Sequence, residues 1–397
     1  MLAVDDARTL IASKVVAVDA ESVSLADARG RVLRGRISAP EDIPAFDHSA
    51  VDGYAITDSD SPSFRLVSEV KAGDIPARRI EHGECARIFT GAALPPGTAR
   101  VVMQEFATRE GEKVAFAPGA RGANIRRKGG DARAGTVLLE EGTRTGAVEL
   151  GLLAQLGVTR LSVAMRPRVV HVATGGELVD PGETPAPGQI RDSNSTLVAA
   201  LVAGEGGEIV AQRRVGDEVA ALLAAVQDVS DPNWHVLLIS GGASVGDYDF
   251  GRRAIERLGF AVHFHQLNLR PGKPLIFATR GRQVAFVIPG NPLSHFVCWH
   301  VAIRAAFDAL AKCVDASEFV EVCLGGERPL PGHPRETCWP ARLTSRGGQL
   351  VALPLRWQSS GDLTGLGGVN ALLRVPSNSP AIDPGARLTA FSLRSPA

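Results

Sequence analysis

The sequence predicts a multidomain α/β plus β fold, in which a central, mostly parallel α/β domain follows an inserted small β domain and precedes a C-terminal β domain. Three observations carry this expectation. Between residues 168 and 316, unbroken apolar runs alternate with helical segments, the texture of a parallel sheet covered on both faces. Between 27 and 143, short β-rich runs alternate with Gly/Pro turns. From 317 to 397 the chain reverts to short strands and turns. At ~100–200 residues per domain, the 397 residues suit such a division.

Taken in order, residues 3–18 read as an amphipathic helix. The β texture follows, with strands at ArgLeuValSerGluVal (65–70) and ArgValValMet (100–103) and a turn at LeuProProGly (94–97). Helical spacing returns from Thr145 to Leu156, with Gly157 at a C′ position. Residues 1–26 and 144–167 then form one composite helical domain, and 27–143 is its insert. The α/β region begins with a strand over 168–173. A helix from Ser195 to Gly204, a strand over Glu208–Val215 and a helix capped by Asp217 follow. The run HisValLeuLeuIleSer (235–240) is another strand, and a helix starts near Tyr248. Strands over Ala261–Leu269 and Val284–Ile288 lead to a long helix after Pro292.

Composition narrows the function. The 43 basic and 43 acidic side chains cancel, which excludes a nucleic-acid binder driven by bulk basicity. No apolar run reaches the ~18–20 residues of a membrane helix. The N-terminus carries Asp5 and Asp6 where a secretory signal wants basic residues. The five cysteines include no CxxC pair, so free thiols in the cytoplasm are expected, without a disulfide framework or zinc knuckle. His263 and His265 share a strand face, and with no third ligand nearby they read as a partly exposed face. His295 and His300 lack the i, i+4 spacing of zinc enzymes.

In a parallel sheet, ligands bind beyond the carboxyl ends of the strands. Four segments fall there: ThrGlyGlyGluLeu (174–178) with GlyGlnIleArgAspSerAsn (188–194); SerGlyGlyAlaSerValGlyAspTyrAsp (240–249); LeuArgProGlyLysPro (269–274); and IleProGlyAsnProLeuSer (288–294). Glycines let backbone N–H groups approach a phosphate, and a helix N-terminus adds a favourable dipole. Ser240, Gly241, Gly242, Ser244 and Gly246 fit that use; the alternative is a tight strand–helix connection. Arg270 and Lys273 flank a Pro–Gly turn and suit a multiply charged oxyanion, or else an ordinary solvated turn. Glu177, Asp192, Asp247 and Asp249 are oxygen ligands suited to Mg²⁺, and helix capping is their competing use. In the β insert, ProAlaPheAspHisSerAlaValAspGlyTyrAla (44–55) gathers Asp47, His48, Ser49, Asp52 and Tyr54, and ArgArgLysGlyGlyAsp (126–131) closes a basic run with an acid.

These segments, together with PheThrGlyAla (89–92), occur in the order found in the molybdopterin molybdenumtransferase (MoeA) family, and the chain resembles that family from about residue 5 to 395. The family is related to the gephyrin E domain and its plant counterpart. The resemblance implies an enzyme that inserts molybdate into the dithiolene of adenylylated molybdopterin, using Mg²⁺, and releases AMP and molybdenum cofactor. It implies a homodimer with a molybdopterin-binding α/β domain, contact with other cofactor-biosynthesis or molybdoenzyme proteins, and no nucleic-acid or membrane partner. Carried over by motif position, the catalytic acids are Asp52, Asp131, Glu177, Asp217 and Asp249, with Thr90 beside the first. Glu177 and Asp249 are the metal ligands. Ser240, Gly241, Gly242, Ser244, Gly246 and Asp247 bind substrate. Arg270 and Lys273 hold molybdate or phosphate. Pro289, Asn291 and Pro292 shape the pocket, and Arg335 and Ser360 come from the last domain. Family sites lie between subunits, so Asp52, Thr90 and Asp131 would serve a second copy's pocket.

The chain departs from the family pattern in places. Gly176 stands where Asp is usual, Arg270 where Lys is usual, and Gln266 where a further Lys is sometimes found. A second arginine common near 335–341 is missing. Arg for Lys keeps the charge and changes the geometry offered to an oxyanion, which bears on the choice between molybdate and tungstate. Two rival functions follow from related folds. One is the preceding adenylyltransferase step, whose enzymes typically show ThrGlyGlyThrGly where this chain has SerGlyGlyAlaSerValGly. The other is a scaffold like the gephyrin E domain, which need not keep Asp52, Glu177 and Asp249.

Overall fold

In the computed structural model, residues 1–59, 61–117, 122–243, 250–314 and 319–393 are described. They form two compact units, Arg36–Glu140 and the remainder, Met1–Gly35 with Glu141–Ala397. The β insert expected over 27–143 is thus shorter as a compact body. Residues at its expected margins pair within the larger unit instead, with Leu33 N–H donating to the Thr143 carbonyl and Val32 bridging to Arg144.

Within Arg36–Glu140, a six-stranded sheet runs in the order Arg100–Met103, Gly53–Ile56, Glu84–Ile88, Ser63–Val70, Lys113–Phe116, Ala107–Glu110. Ala55, Ile88 and Val101 pack in one apolar cluster, and Tyr54, Ile56 and Val102 in another. This is the alternation a two-faced strand requires. Two short ladders, His48–Ser49 with Ile125–Arg126 and Ile37–Ser38 with Val137–Leu139, tie its loops together.

The larger unit is built around a second six-stranded sheet, in the order Glu208–Val215, Arg168–Thr174, Val236–Ser240, Gln283–Ile288, Ile276–Arg280, Ala261–Phe264. The first four strands run parallel, and the last two pairings are antiparallel. Arg168–Thr174 and Val236–Ser240 lie mid-sheet and are buried along almost their whole length, which explains why apolar residues dominate them. One face carries Val169, Val236, Leu238 and Phe286 into a core shared with the helices Val4–Lys14, Ser193–Gly204 and Pro292–Cys298. The other face carries Val170, Val172, Leu237 and Ile239 against Val219–Gln227 and Phe250–Arg257. Full burial of each such side chain stabilises by about 1.5–3 kcal/mol.

Several elements differ from expectation. The first helix spans Val4–Lys14 and stops before Val15 turns extended. The run expected as one strand over 261–269 divides: Ala261–Phe264 edges the central sheet, whereas Leu269–Arg270 pairs with Glu336–Thr337 in the C-terminal sheet. His265 therefore lies beyond the strand, and His263 pairs with the Thr279 hydroxyl. Ile276–Arg280 is a strand the sequence reading did not foresee. Asp217 is not the expected cap; Glu218 holds that position before Val219–Gln227 and makes no side-chain capping bond. The long helix after Pro292 contains a π-helical turn over Trp299–Ile303 before continuing to Ala311.

The C-terminal strands close on themselves. Glu336–Arg346, Gln349–Pro354, Phe319–Leu324, Arg387–Ser392 and Ala371–Val375 pair in sequence, and Ala371–Val375 pairs back onto Glu336–Arg346. Closure leaves no free edge on these five strands. All five cysteines are free, with Cys85, Cys298 and Cys338 buried. No helix among the described residues is long and apolar enough to cross a membrane.

Candidate functional site

The carboxyl ends of the parallel strands open into a cleft of ≈ 500 Å³, lined by Thr174, Glu177, Asp192, Ser193, Asn194, Ser240, Gly290, Asn291, Pro292 and Gly361 among others. Three of the four expected segments therefore meet in one place. Ser240 ends its strand at the floor. Gly241 then turns away with φ +99°, a conformation that L side chains rarely adopt, and a Cβ there would run into the Thr174 hydroxyl. Thr174 Oγ1 donates to the Ser240 carbonyl at 3.1 Å and so ties the first two strand ends together. Gly242, at φ +69°, would bring a Cβ within 2.7 Å of the Phe250 ring. Ser244, Gly246, Asp247 and Asp249 lie outside the described residues.

Glu177 and Asp192 line the cleft and divide by role, and Asp217 is outside its lining. Asp192 is the cap of helix Ser193–Gly204: its Oδ1 accepts from Ser195 N–H at 2.9 Å and its Oδ2 from Ser195 Oγ at 2.5 Å. Helix capping thus accounts for Asp192. Glu177 makes no such bond, and its carboxylate folds back over Gly175, which has no side chain to obstruct it. Asp217 stands apart from its helix. Desolvation first, and then the negative charge of Glu177, raise its carboxyl above the usual range, with the polar Thr174 side chain opposing them. Two carboxylates that share one field and are not occupied by capping fit a hard divalent cation with oxygen ligands. Among the described residues no three His, Cys, Asp or Glu converge as a ready cage.

Asn291 precedes the helix that Pro292 opens, and Pro at that first position has no N–H to leave unpaired. Its Nδ2 donates to Ser360 Oγ at 2.7 Å, and Leu293 N–H donates to the Ser360 carbonyl. Ser360 of the C-terminal region is therefore bonded to the cleft's own loop. Asn194 donates to the Gly290 carbonyl at 2.7 Å, and its Oδ1 is a buried acceptor with no partner among the described residues. Pro289 leads into that loop without lining the cleft.

Arg270, Lys273 and Arg335 are not among the cleft-lining residues. They form a cationic cluster around the Arg270–Pro271–Gly272 turn. Arg335 Nη1 donates to the Leu269 carbonyl at 3.0 Å, and its pKa is lowered by burial and then by the charge of Arg270. Arg270 lies 5.2 Å from the centroid of the Trp357 ring, a cation–π contact. His333 is also pushed down, by burial and then by Arg270 and Arg335. Lys273 is half-buried and makes no ion pair among the described residues. An excess of positive charge with no acidic partner among the described residues is the arrangement an oxyanion would relieve.

In the smaller unit, Asp52 Oδ1 accepts from both the N–H and the hydroxyl of Thr90, each at 2.8 Å. These bonds, the backbone one first, hold the Asp52 carboxyl below the usual range. Asp131 takes both its oxygens to Arg126 at 2.5 Å. Asp47 accepts from Lys128 N–H and from Arg127. The basic run 126–131 is thus largely folded onto local acids, with Asp131 fixed by its own loop.

Sequence reading missed three residues near the cleft. His171 and His295 both bond Ser240 Oγ through Nε2 at 2.7 Å, and Gln212 supports His171. They are far apart in sequence, and the register of the sheet together with the packing of helix Pro292–Cys298 brings them together.

Comparison with known proteins matches three family models along the chain: the MoeA N-terminal region (domain I and II) over residues 2–157, the probable molybdopterin binding domain over 171–309, and the MoeA C-terminal region (domain IV) over 327–392. The molybdopterin molybdenumtransferase of a Nostoc species is 33% identical over 94% of this chain and 89% of its own. That of Bacillus subtilis is 30% identical over 95% and 90%. The crystal structure of the molybdopterin biosynthesis moeA protein of Pyrococcus horikoshii OT3 superposes with a TM-score of 0.82 at 27% identity, covering 99% of this chain and all of that one.

Proposed function

Because the chain belongs to the molybdopterin molybdenumtransferase (MoeA) family, we propose that it completes the molybdenum cofactor by inserting molybdate into adenylylated molybdopterin and releasing AMP. The observation that carries this reading is the placement of Glu177, with Asp217 within reach of its charge, at the carboxyl end of a parallel sheet, on a cleft also lined by Asn291, which is bonded to Ser360. A nucleotide-linked ligand fits such a cleft, since strand ends with glycine turns admit phosphates closely.

The chain's own groups divide the work. The Ser240–Gly242 turn and the loop at Asn291 position the ligand. Arg270, Lys273 and Arg335 concentrate the doubly charged molybdate. Glu177 and Asp217, with Asp249 from the family motif, would hold Mg²⁺. When bound, Mg²⁺ would neutralise the charge that develops as the phosphoanhydride breaks. A water or a molybdate oxygen attacks the adenylate phosphorus as its bond to the molybdopterin phosphate oxygen breaks. Water yields AMP directly, whereas a molybdate oxygen leaves with AMP once its bond to molybdenum breaks, which couples insertion to the departure of AMP.

The active form in this reading is a cytoplasmic homodimer, in which Asp52, Thr90 and Asp131 complete the cleft of the second copy. The finished cofactor passes to other cofactor-biosynthesis or molybdoenzyme proteins.

The test is direct. Purified protein given adenylylated molybdopterin, Mg²⁺ and molybdate should release AMP stoichiometrically with metal insertion. No AMP release would sink the proposal, and ATP-dependent adenylylation of molybdopterin would point to the preceding step instead.

A further inference from the structure

One short strap of the C-terminal region joins the cationic cluster to the cleft. The Arg270 side chain makes no ion pair or hydrogen bond among the described residues; its guanidinium lies over the Trp357 ring, 5.2 Å from the centroid. That ring is itself held. Trp339 packs edge-on against it, with centroids 5.5 Å apart at 77°. Trp339 Nε1 donates at 2.9 Å to the carbonyl of Leu355, just before Trp357 in the chain. On the other side the chain reaches Ser360 in three residues, a span of at most ~11 Å. Ser360 is bonded to the cleft's loop through Asn291 Nδ2 at 2.7 Å and Leu293 N–H, and Gly361 lines the cleft. Asp362 fixes the turn: its Oδ2 accepts from Gln358 N–H at 3.2 Å, and its Oδ1 from Thr364 N–H and Oγ1.

Trp357 Nε1 is buried with no partner among the described residues. An unpaired donor opposes burial of the ring, so no hydrogen bond explains an indole at this position. Its face does, because indole attracts a cation more strongly than the other aromatic rings. Contact with a π face holds the guanidinium without bringing a carboxylate or carbonyl to its N–H groups, which stay available to an oxyanion. Arg335, the neighbouring cation, is fixed separately through the Leu269 carbonyl. We propose that Trp357 is a positioning residue for the oxyanion: its face orients the Arg270 guanidinium, and the strap to Ser360 holds that guanidinium at a fixed place beside the cleft. The inference rests on the proposed reading of the cationic cluster as the molybdate site.

Two measurements on the full chain test it. In ¹H–¹⁵N spectra of the arginine Nε groups, with no ligand added, the Arg270 Nε–H signal should move in Trp357→Leu through loss of the ring current. An unmoved signal overturns the proposal. Separately, AMP release is followed against molybdate concentration. Trp357→Leu keeps apolar bulk and removes the π face, and should raise the KM for molybdate about three- to tenfold with kcat within about twofold of the parent. Trp357→Phe, with a weaker face, should fall between the two, and supplies the same comparison if the Leu variant does not fold. In an Arg270→Gln background no cation remains to be oriented, so Trp357→Leu should change that KM by less than about twofold. An equal rise in both backgrounds, or no rise in the first, overturns the positioning role. If the parent protein releases no AMP while the Arg270 signal moves as stated, the reading of the enzyme fails together with the oxyanion half of this inference, and the hold of the ring on the guanidinium stands.

Discussion

Glu177 and Asp217 come from different loops, yet the charge of Glu177 reaches Asp217 and, after partial desolvation, is what raises its carboxyl. Removing one charge should release the other. Glu177→Gln is expected to return Asp217 toward the ordinary carboxylate range, read by ¹³C carboxyl titration. If the pair holds Mg²⁺, the same variant should weaken the Mg²⁺ dependence of AMP release by at least about tenfold. An Asp217 titration that does not move would break the coupling argued here.

Arg270 is held between a stacking partner, Trp357, and a like charge, Arg335. Arg270→Ala should raise the KM for molybdate about tenfold or more, with a smaller effect on kcat, because it removes a cation that gathers the anion. Arg270→Lys restores the charge but not the planar stack, so an intermediate KM is expected. AMP release followed against molybdate concentration separates the three proteins.

Gly241 tests the turn after the central strand. Gly241→Ala combines a positive φ with a collision against Thr174, and should cost about 1–3 kcal/mol of stability. Gly151 sits inside helix Ala147–Gln155 with open space around it. Gly151→Ala should therefore stabilise by about 0.5–1 kcal/mol. Urea midpoints of the two variants should move in opposite directions.

Stability should fall in mild acid. His171, His295 and His300 are buried and neutral, with pKa values lowered to about 4, about 3 and about 3. The unfolded chain binds these protons from about pH 6.5 downward, while the folded chain does not. Their contribution is thus fully present above the unfolded value and is lost as pH falls toward the folded values. The loss approaches ~1.4 kcal/mol per pH unit for each ring once pH is well below 6.5. His300→Leu should make the pH dependence of the urea midpoint shallower between pH 6 and 4; an unchanged slope would remove His300 from this set.

Much of the central sheet was legible because buried parallel strands advertise themselves: residues 169–173 and 236–239 are apolar but for His171. The antiparallel end was harder. Ile276–Arg280 follows a turn and ends in a polar pair, and the stretch around 261–269 belongs to two sheets, which no local pattern reveals. At the cleft, glycine turns and the Asn–Pro helix start stood out as local chemistry. Asp217 was mistaken for a cap because a cap and a free acid before a helix look alike in sequence. The His171–Ser240–His295 chain depends on strand register and helix packing, quantities that adjacent residues do not encode.

The short strand Leu269–Arg270 has a consequence for modularity. Its residues pair with Glu336 and Thr337, so the cationic turn is stitched into the sheet formed by the C-terminal strands. Arg335, at the start of the same segment, bonds back to Leu269. The final domain is therefore not a detachable appendage. A chain shortened before it would retain the strands of the central sheet but leave Arg270 without its anchor, and a graft of that domain from a relative would carry the anion-gathering geometry along with it.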